Sequence, residues 1–202
     1  MKTIIFATKN EGKVSEIANM LKETDINVVS LNKIRNAPSI EEDGQTYKEN
    51  ALKKAEIISE LTGSIVLADD SGLEVRALSG EPGIYSARYA GPNATDEENN
   101  AKLLSRLKGV PPERRDAYFI CSLILYLPDG KYHSFESRWK GIVIDEPRGT
   151  NGFGYDPIFL VSDYGKTAAE LPSEIKNRIS HRGQAFTKLK AYLIEQMNRD
   201  GA

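Results

Sequence analysis

Two strand-like segments, the apolar Ala117–Leu127 and the alternating Tyr132–Ile144, are separated by Pro128-Asp129-Gly130-Lys131. Asp-Gly behind a proline, between two such runs, is a hairpin turn signal. A hairpin forces an antiparallel pair. The chain before it alternates differently. Thr3–Ala7 reads as a short buried strand, and Val14, Ile17, Ala18 and Leu21 recur at helical spacing over Gly12–Glu23. Ile26–Leu31 reads as a strand, Gln45–Leu61 as a helix with Tyr47, Ala51, Ala55 and Ile58 inward, and Ser64–Ala68 as a strand. The order β-α-β-α-β, then a hairpin, then helices, predicts an α/β protein with a mixed sheet.

The remaining elements are shorter. The strand Ser64–Ala68 is expected to end in the acidic turn Asp69-Asp70-Ser71-Gly72, with Leu73–Leu78 as a further short strand. Gly80–Ala94 is rich in Gly and Pro and reads as loop. Thr95-Asp96-Glu97-Glu98 is a capping box opening a helix to about Leu107. A glycine-bearing loop, Thr150–Asp156, precedes the strand Pro157–Val161, and helices over Ser173–Arg178 and His181–Met197 close the chain.

Composition excludes several classes. The 202 residues are 40% hydrophobic and 28% charged, which suits one globular domain or two tightly joined lobes. A net charge of −2 gives no broad footprint for nucleic acid. No apolar stretch approaches the ~20 residues of a membrane span, and the start of the chain lacks a signal-peptide pattern. A single cysteine, Cys121 in an apolar run, reads as a buried thiol and suits a reducing compartment. The expectation is a soluble cytoplasmic protein with no nucleic-acid or membrane partner.

Four stretches could carry chemistry. "ATKNEGK", Ala7–Lys13, joins a strand to a helix N-terminus, where unpaired N–H groups can hold phosphate. It has no Walker A spacing, and it also reads as an Asn10-capped turn with surface lysines. Adjacent Asp69 and Asp70 need a cation or donors to offset their like charge. With Glu41-Glu42-Asp43 they offer oxygen ligands suited to Mg²⁺ shared with a phosphate chain, or else two solvated acidic turns. Asn50 and Lys54, at i and i+4, share a helix face, where Lys54 reaches phosphate or solvent; Glu49 and Lys53 read as a surface pair. Ser180 is a plausible N-cap for a helix whose first turn holds His181 and Arg182, cations that the dipole disfavours there. A ligand acceptor, or solvent, would compensate. Phe153-Gly154-Tyr155-Asp156 could stack a nucleobase or anchor its loop. His133 reads as a histidine without a role.

Together these stretches resemble a known family. "ATKNEGK", "EEDGQTYKENALKKA", "ADDSGLEV", "GEPGIYSARYAG", "GTNGFGYDPIF" and "SHRGQA" follow one another as in the inosine triphosphatase-type nucleoside triphosphate pyrophosphatases. The likeness runs from Thr8 to the final helix. It implies an α/β fold with a mixed, strongly twisted central sheet and flanking helices, two lobes around a substrate cleft, and one domain over residues 1–202. It implies hydrolysis of ITP, dITP and XTP to monophosphate and pyrophosphate. Thr8, Lys9, Asn10, Glu11, Gly12 and Lys13 would wrap the triphosphate, and Lys54 would add a phosphate contact. Glu41 and Asp70 would hold Mg²⁺, with Glu42 a near neighbour of Glu41. Asp70 would also activate water, and Ser71 would touch substrate. Phe153, Gly154, Tyr155, Asp156 and Lys176 would form the nucleoside end, with His181 and Arg182 on the base and Arg88 facing the site. A homodimer is the implied assembly.

Overall fold

The computed structural model describes residues 2–22, 24 and 26–200, without the side chains of residues 2 and 197–200. In chain order it contains β1 (Lys2–Phe6), α1 (Glu11–Leu21), β2 (Ile26–Ser30), α2 (Tyr47–Thr62), β3 (Val66–Val75) and α3 (Asp96–Arg106). It continues with β4 (Asp116–Tyr126), β5 (Tyr132–Val143), β6 (Phe159–Val161), β7 (Lys166–Thr167), α4 (Ser173–Ile179) and α5 (His181–Asp200). The strands form one twisted sheet in the order β2-β1-β3-β4-β5-β6-β7. β1 is parallel to both β2 and β3, whereas β5-β6 and β6-β7 are antiparallel, so the sheet is mixed as the hairpin demanded. The hairpin closes through Leu127 N–H donating to the Lys131 carbonyl at 2.8 Å. Among the described residues no helix is long and apolar enough to cross a membrane.

The chain divides into two compact units. The first comprises Met1–Asp70, Cys121–Ser137 and Arg182–Ala202. Its core has two clusters, and the pleat of β1 explains why. Ile4 and Phe6 join Ile17, Leu21, Leu67, Cys121, Phe186 and Leu189, under α1 and α5. Ile5 and Ala7 join Ala51, Ala55, Ile58, Val66 and Ala68, under α2. Alternate residues of a strand point to opposite faces, so a strand buried on both faces reads as the continuous apolar run seen in the sequence.

The second unit comprises Ser71–Ile120 and Arg138–His181. One cluster fills it, with Leu73, Val75, Leu103, Phe119, Trp139, Tyr155 and Phe159 among its members. Phe119, Trp139 and Phe159 form an aromatic group with centroid separations of 4.5–6.2 Å. α3 begins as expected: Thr95 Oγ1 accepts from Glu98 N at 3.2 Å, and the Glu98 carboxylate accepts from Thr95 N at 2.8 Å.

Several expectations need correction. β3 does not stop at Ala68: it runs unbroken through Asp69-Asp70-Ser71-Gly72 to Val75, and Arg76–Leu78 is a 3-10 turn rather than strand. The carboxylates do not break the strand because partners inside the protein satisfy them, as described below. α2 starts at Tyr47, capped by Thr46, whose Oγ1 accepts from Glu49 N at 3.1 Å. Glu49 does not pair with Lys53. Its carboxylate accepts from Gln45 N at 2.7 Å, while Lys53 reaches Asp43 at 2.6 Å. Gly83–Arg88, expected as loop, is a 3-10 turn, and so is Asp156–Ile158 at the expected start of β6. Glu23, the expected end of α1, lies outside the described residues.

Candidate active site

The turn after β1 is a capped helix start. Asn10 Oδ1 accepts from Lys13 N at 3.1 Å, and Thr8 Oγ1 accepts from Asn10 N at 3.2 Å. Lys9, Asn10, Glu11 and Gly12 are exposed and Thr8 half-buried, so the positive end of α1 faces outward. A carboxylate in a phosphate-binding turn would be repulsive, but Glu11 is turned aside: it accepts from Asn32 Nδ2 and, at 3.3 Å, from Ser30 Oγ. Asn32 Nδ2 also donates to the Lys9 carbonyl at 3.3 Å, which braces the turn from below.

The two aspartates of β3 go to opposite faces of the strand. Asp69 follows the parity of Leu67 and meets α1 and α5. Lys13 Nζ lies 3.0 and 2.9 Å from its two oxygens, and Arg182 Nε lies 3.4 Å from Oδ2. Asp70 follows the parity of Ala68 and meets α2, where Asn50 Nδ2 donates to its Oδ2 at 3.0 Å. The pleat therefore separates like charges that are neighbours in sequence. Their titration separates as well. Burial pushes the Asp69 carboxyl up, but Lys13, Arg182 and Lys54 outweigh it and hold the group well below the usual carboxylate range. Asp70 is raised: burial dominates and Glu42 adds to it, against the opposing pull of Lys54 and Asn50.

Lys54 is buried rather than solvated. Its ammonium donates to Glu42 Oε1 at 2.5 Å and to the Asp69 carbonyl at 2.6 Å. Burial pulls its pKa down, yet Glu42, Asp70 and Asp69 together raise it. Of the two loop glutamates, Glu42 is the one placed with Lys54, while Glu41 is exposed. Among the described residues no group of three or more His, Cys, Asp or Glu side chains is assembled for a metal. The donor set is instead a buried Asp70 with a nearby glutamate. That set fits Mg²⁺, which uses one or two carboxylates and completes its shell with water and phosphate.

Arg182 answers the question raised by cations in a helix's first turn. The protein itself supplies the acceptors: Glu16 at 2.5 Å as well as Asp69. Burial works against its charge, but Glu16 and Asp69 more than restore it and raise the pKa. Ser180 is the single extended residue between α4 and α5. His181 is buried and stacks on Phe119, with centroids 4.7 Å apart and planes at 11°, and lies 6.3 Å from Trp139.

In the second unit the Phe153–Asp156 loop is built around one carboxylate. Asp156 Oδ2 accepts from Lys176 Nζ at 2.7 Å and from Phe153 N at 2.9 Å. Gly152 permits this: its φ is +79°, and a Cβ there would lie 2.0 Å from that oxygen. Lys176 Nζ sits 5.0 Å from the Phe153 ring centroid. Gly154 is held on both sides, its N–H by Asp96 at 2.6 Å and its carbonyl by Asn100 at 3.0 Å. Tyr155 donates to the Ser86 carbonyl at 2.8 Å, and burial pushes its hydroxyl pKa upward. Ser71 is half-buried on β3, and the Arg88 guanidinium lies 5.2 Å over the Tyr85 ring.

The expected residues thus fall into a set in the first unit and a set in the second. The structure adds Asn50, Glu16, Phe119 and Trp139, which sequence reasoning did not select. Asn50 had a signal, its shared face with Lys54. Glu16 had one too, three residues after Lys13 on an amphipathic helix. Phe119 and Trp139 had none beyond apolar alternation. His133, read as having no role, packs on Tyr192 with its Nε2 2.6 Å from the phenolic oxygen.

Residues 4–192 match the Ham1 family. The chain is 53% identical to a dITP/XTP pyrophosphatase of Geobacter sulfurreducens, over 96% of this chain and 97% of that one. It is 54% identical to a dITP/XTP pyrophosphatase of Bacillus licheniformis, over 96% and 98%. A solved HAM1 protein from Coxiella burnetii superposes with a TM-score of 0.88 at 42% identity, over 96% of this chain and all of the other.

Proposed function

The chain belongs to the Ham1 family, and from that premise we propose that it hydrolyses dITP, ITP and XTP to the monophosphate and pyrophosphate. The observation that carries this reading is the division of labour between Asp69 and Asp70. One is neutralised by Lys13 and Arg182; the other takes a neutral donor from Asn50, near Lys54 and Glu42.

The reaction is attack of water on the α-phosphorus. The new P–O bond forms as the α-β bridging bond breaks, and pyrophosphate leaves with the electron pair. Asp70 takes the proton of the attacking water. Asn50, donating to one of its oxygens at 3.0 Å, orients the carboxylate for that role. Asp70 and Glu41, or its neighbour Glu42, would hold Mg²⁺, which when bound would supply charge neutralisation for the phosphate oxygens. Lys54 adds positive charge fixed in advance, and the turn Thr8–Lys13 offers backbone N–H groups at the start of α1. Lys9, exposed on that turn, would join them.

The nucleoside end falls to Phe153, Gly154, Tyr155, Asp156, Lys176, His181 and Arg182, with Ser71 and Arg88 as further contacts. His181 and Arg182 donate to a 6-keto oxygen. Adenine places an amino donor at that position, which cannot accept from either group, so the contact is lost. A cytoplasmic homodimer that acts on the free nucleotide pool completes the reading.

The test is a panel of dITP, XTP, dATP and dGTP with Mg²⁺, scored for pyrophosphate and orthophosphate separately. Pyrophosphate from dITP and XTP is expected, with little from dATP. Orthophosphate as the first product would sink α-phosphorus attack. Asp70→Asn should lower kcat by about 10²–10⁴-fold while dITP still binds.

A further inference from the structure

We propose that Asn50 is a positioning residue that couples Asp70 to the acidic loop, and that Gly44 is the point on the loop it holds. This deepens the functional reading above and rests on it. Asn50 lies on α2 and is 1% exposed. Its Nδ2 donates to Asp70 Oδ2 at 3.0 Å, and its Oδ1 accepts from Gly44 N at 2.8 Å.

A backbone N–H can only donate, so Gly44 fixes which end of the amide is oxygen. The NH₂ end must then face Asp70. The loop thereby determines that Asp70 receives a donor on one chosen oxygen, which orients the carboxylate. The coupling runs in reverse as well: Asp70 holds the amide whose oxygen anchors the loop two residues beyond Glu42. Lys54, one helical turn after Asn50, makes the parallel connection, from Glu42 to the carbonyl of Asp69. Both ties run from the loop through α2 to β3.

Gly44 is needed for closeness. A Cβ there would lie 2.7 Å from Asn50 Oδ1 and 2.9 Å from Glu49 Cβ. Any side chain pushes the loop off the amide. Two carboxylates that are to share one ion gain from a fixed separation, and supporting groups of this kind typically change metal affinity or activity by about 10–100-fold.

The test uses the full chain carrying Asn50→Leu, Asn50→Asp and Gly44→Ala. Melting temperature serves as the folding control. Asn50→Leu removes both bonds; kcat for dITP should fall by about 10–100-fold with KM within about threefold, and half-saturating Mg²⁺ should rise. Asn50→Asp keeps the shape but sets a carboxylate against Asp70, and should be at least as impaired. Gly44→Ala leaves Asn50 on Asp70, so it should raise half-saturating Mg²⁺ more than it lowers kcat at saturating metal. A readout independent of turnover is amide hydrogen exchange in the apo protein, which should quicken at Gly44 in all three. A folded Asn50→Leu with kcat and Mg²⁺ requirement within twofold of the parent would overturn the proposal. If the Asn50 variants do not fold, unchanged metal requirement and exchange in Gly44→Ala would overturn it. If the parent releases no pyrophosphate, the functional reading falls, and unchanged exchange at Gly44 in Asn50→Leu would remove the coupling separately.

Discussion

At the scale of residues, two carboxylates joined by one peptide bond behave as opposites, and pH separates them. Asp69 has a lowered folded pKa, so its contribution to stability is present above the unfolded value of about 3.9 and is lost as pH falls below it. Asp70 has a raised folded pKa. Its protonated form is the favoured one on burial, so stability falls as pH rises through that folded pKa. In chelator, Asp69→Asn should therefore destabilise the protein at pH 7 by about 3–5 kcal/mol, since Lys13 and Arg182 lose a buried partner. Its stability should also fall less steeply than the parent's below pH ~4. Asp70→Asn should do the reverse at pH 7, raising the melting temperature while it lowers kcat, the usual conflict between an active site and stability. Denaturant melts from pH 3 to 8 decide both. The glutamates are tested in the same way: Glu42→Gln should raise the Mg²⁺ requirement more than Glu41→Gln, because Glu42 is the one beside Lys54. Equal effects in a metal titration would return Glu41 to the role that the family resemblance gives it.

At the scale of elements, period-two geometry carries the design. The alternation that sends Leu67 and Ala68 to different helix layers also sends Asp69 to α1 and α5 and Asp70 to α2. Core packing and charge placement thus share one register, and a one-residue slip of β3 would exchange the two roles. In the second unit the corresponding device is a turn. Gly152 lets the loop close on Asp156, which in turn holds Lys176 and the Phe153 backbone. Gly152→Ala meets both a left-handed backbone and a collision. It should cost about 1–3 kcal/mol and raise KM for dITP at least tenfold, with the Mg²⁺ requirement unchanged. Steady-state kinetics with a metal titration would show whether the two ends separate in this way.

At the scale of the whole molecule, the proposed homodimer predicts a solution mass of twice the 22.4 kDa chain, which light scattering would measure directly. The sequence by itself determined the class of fold. Buried strands, amphipathic helices and the Asp129-Gly130 turn are local patterns, each written over a few residues, and they sum to a mixed α/β sheet. It also determined the chemical inventory, because family motifs such as "ATKNEGK" and "ADDSGLEV" are contiguous and survive in one dimension. What it could not decide were partners. The continuation of β3 through Asp69 and Asp70 goes against their local preference and depends on cations from α1, α2 and α5. The burial of Lys54, the engagement of Arg182 by Glu16, and the clasp of Asn50 between Gly44 and Asp70 likewise join residues that are far apart or that local propensity leaves in solvent. A charge's cost or benefit is set by what lies within a few ångströms of it, and only the tertiary structure brings those neighbours together.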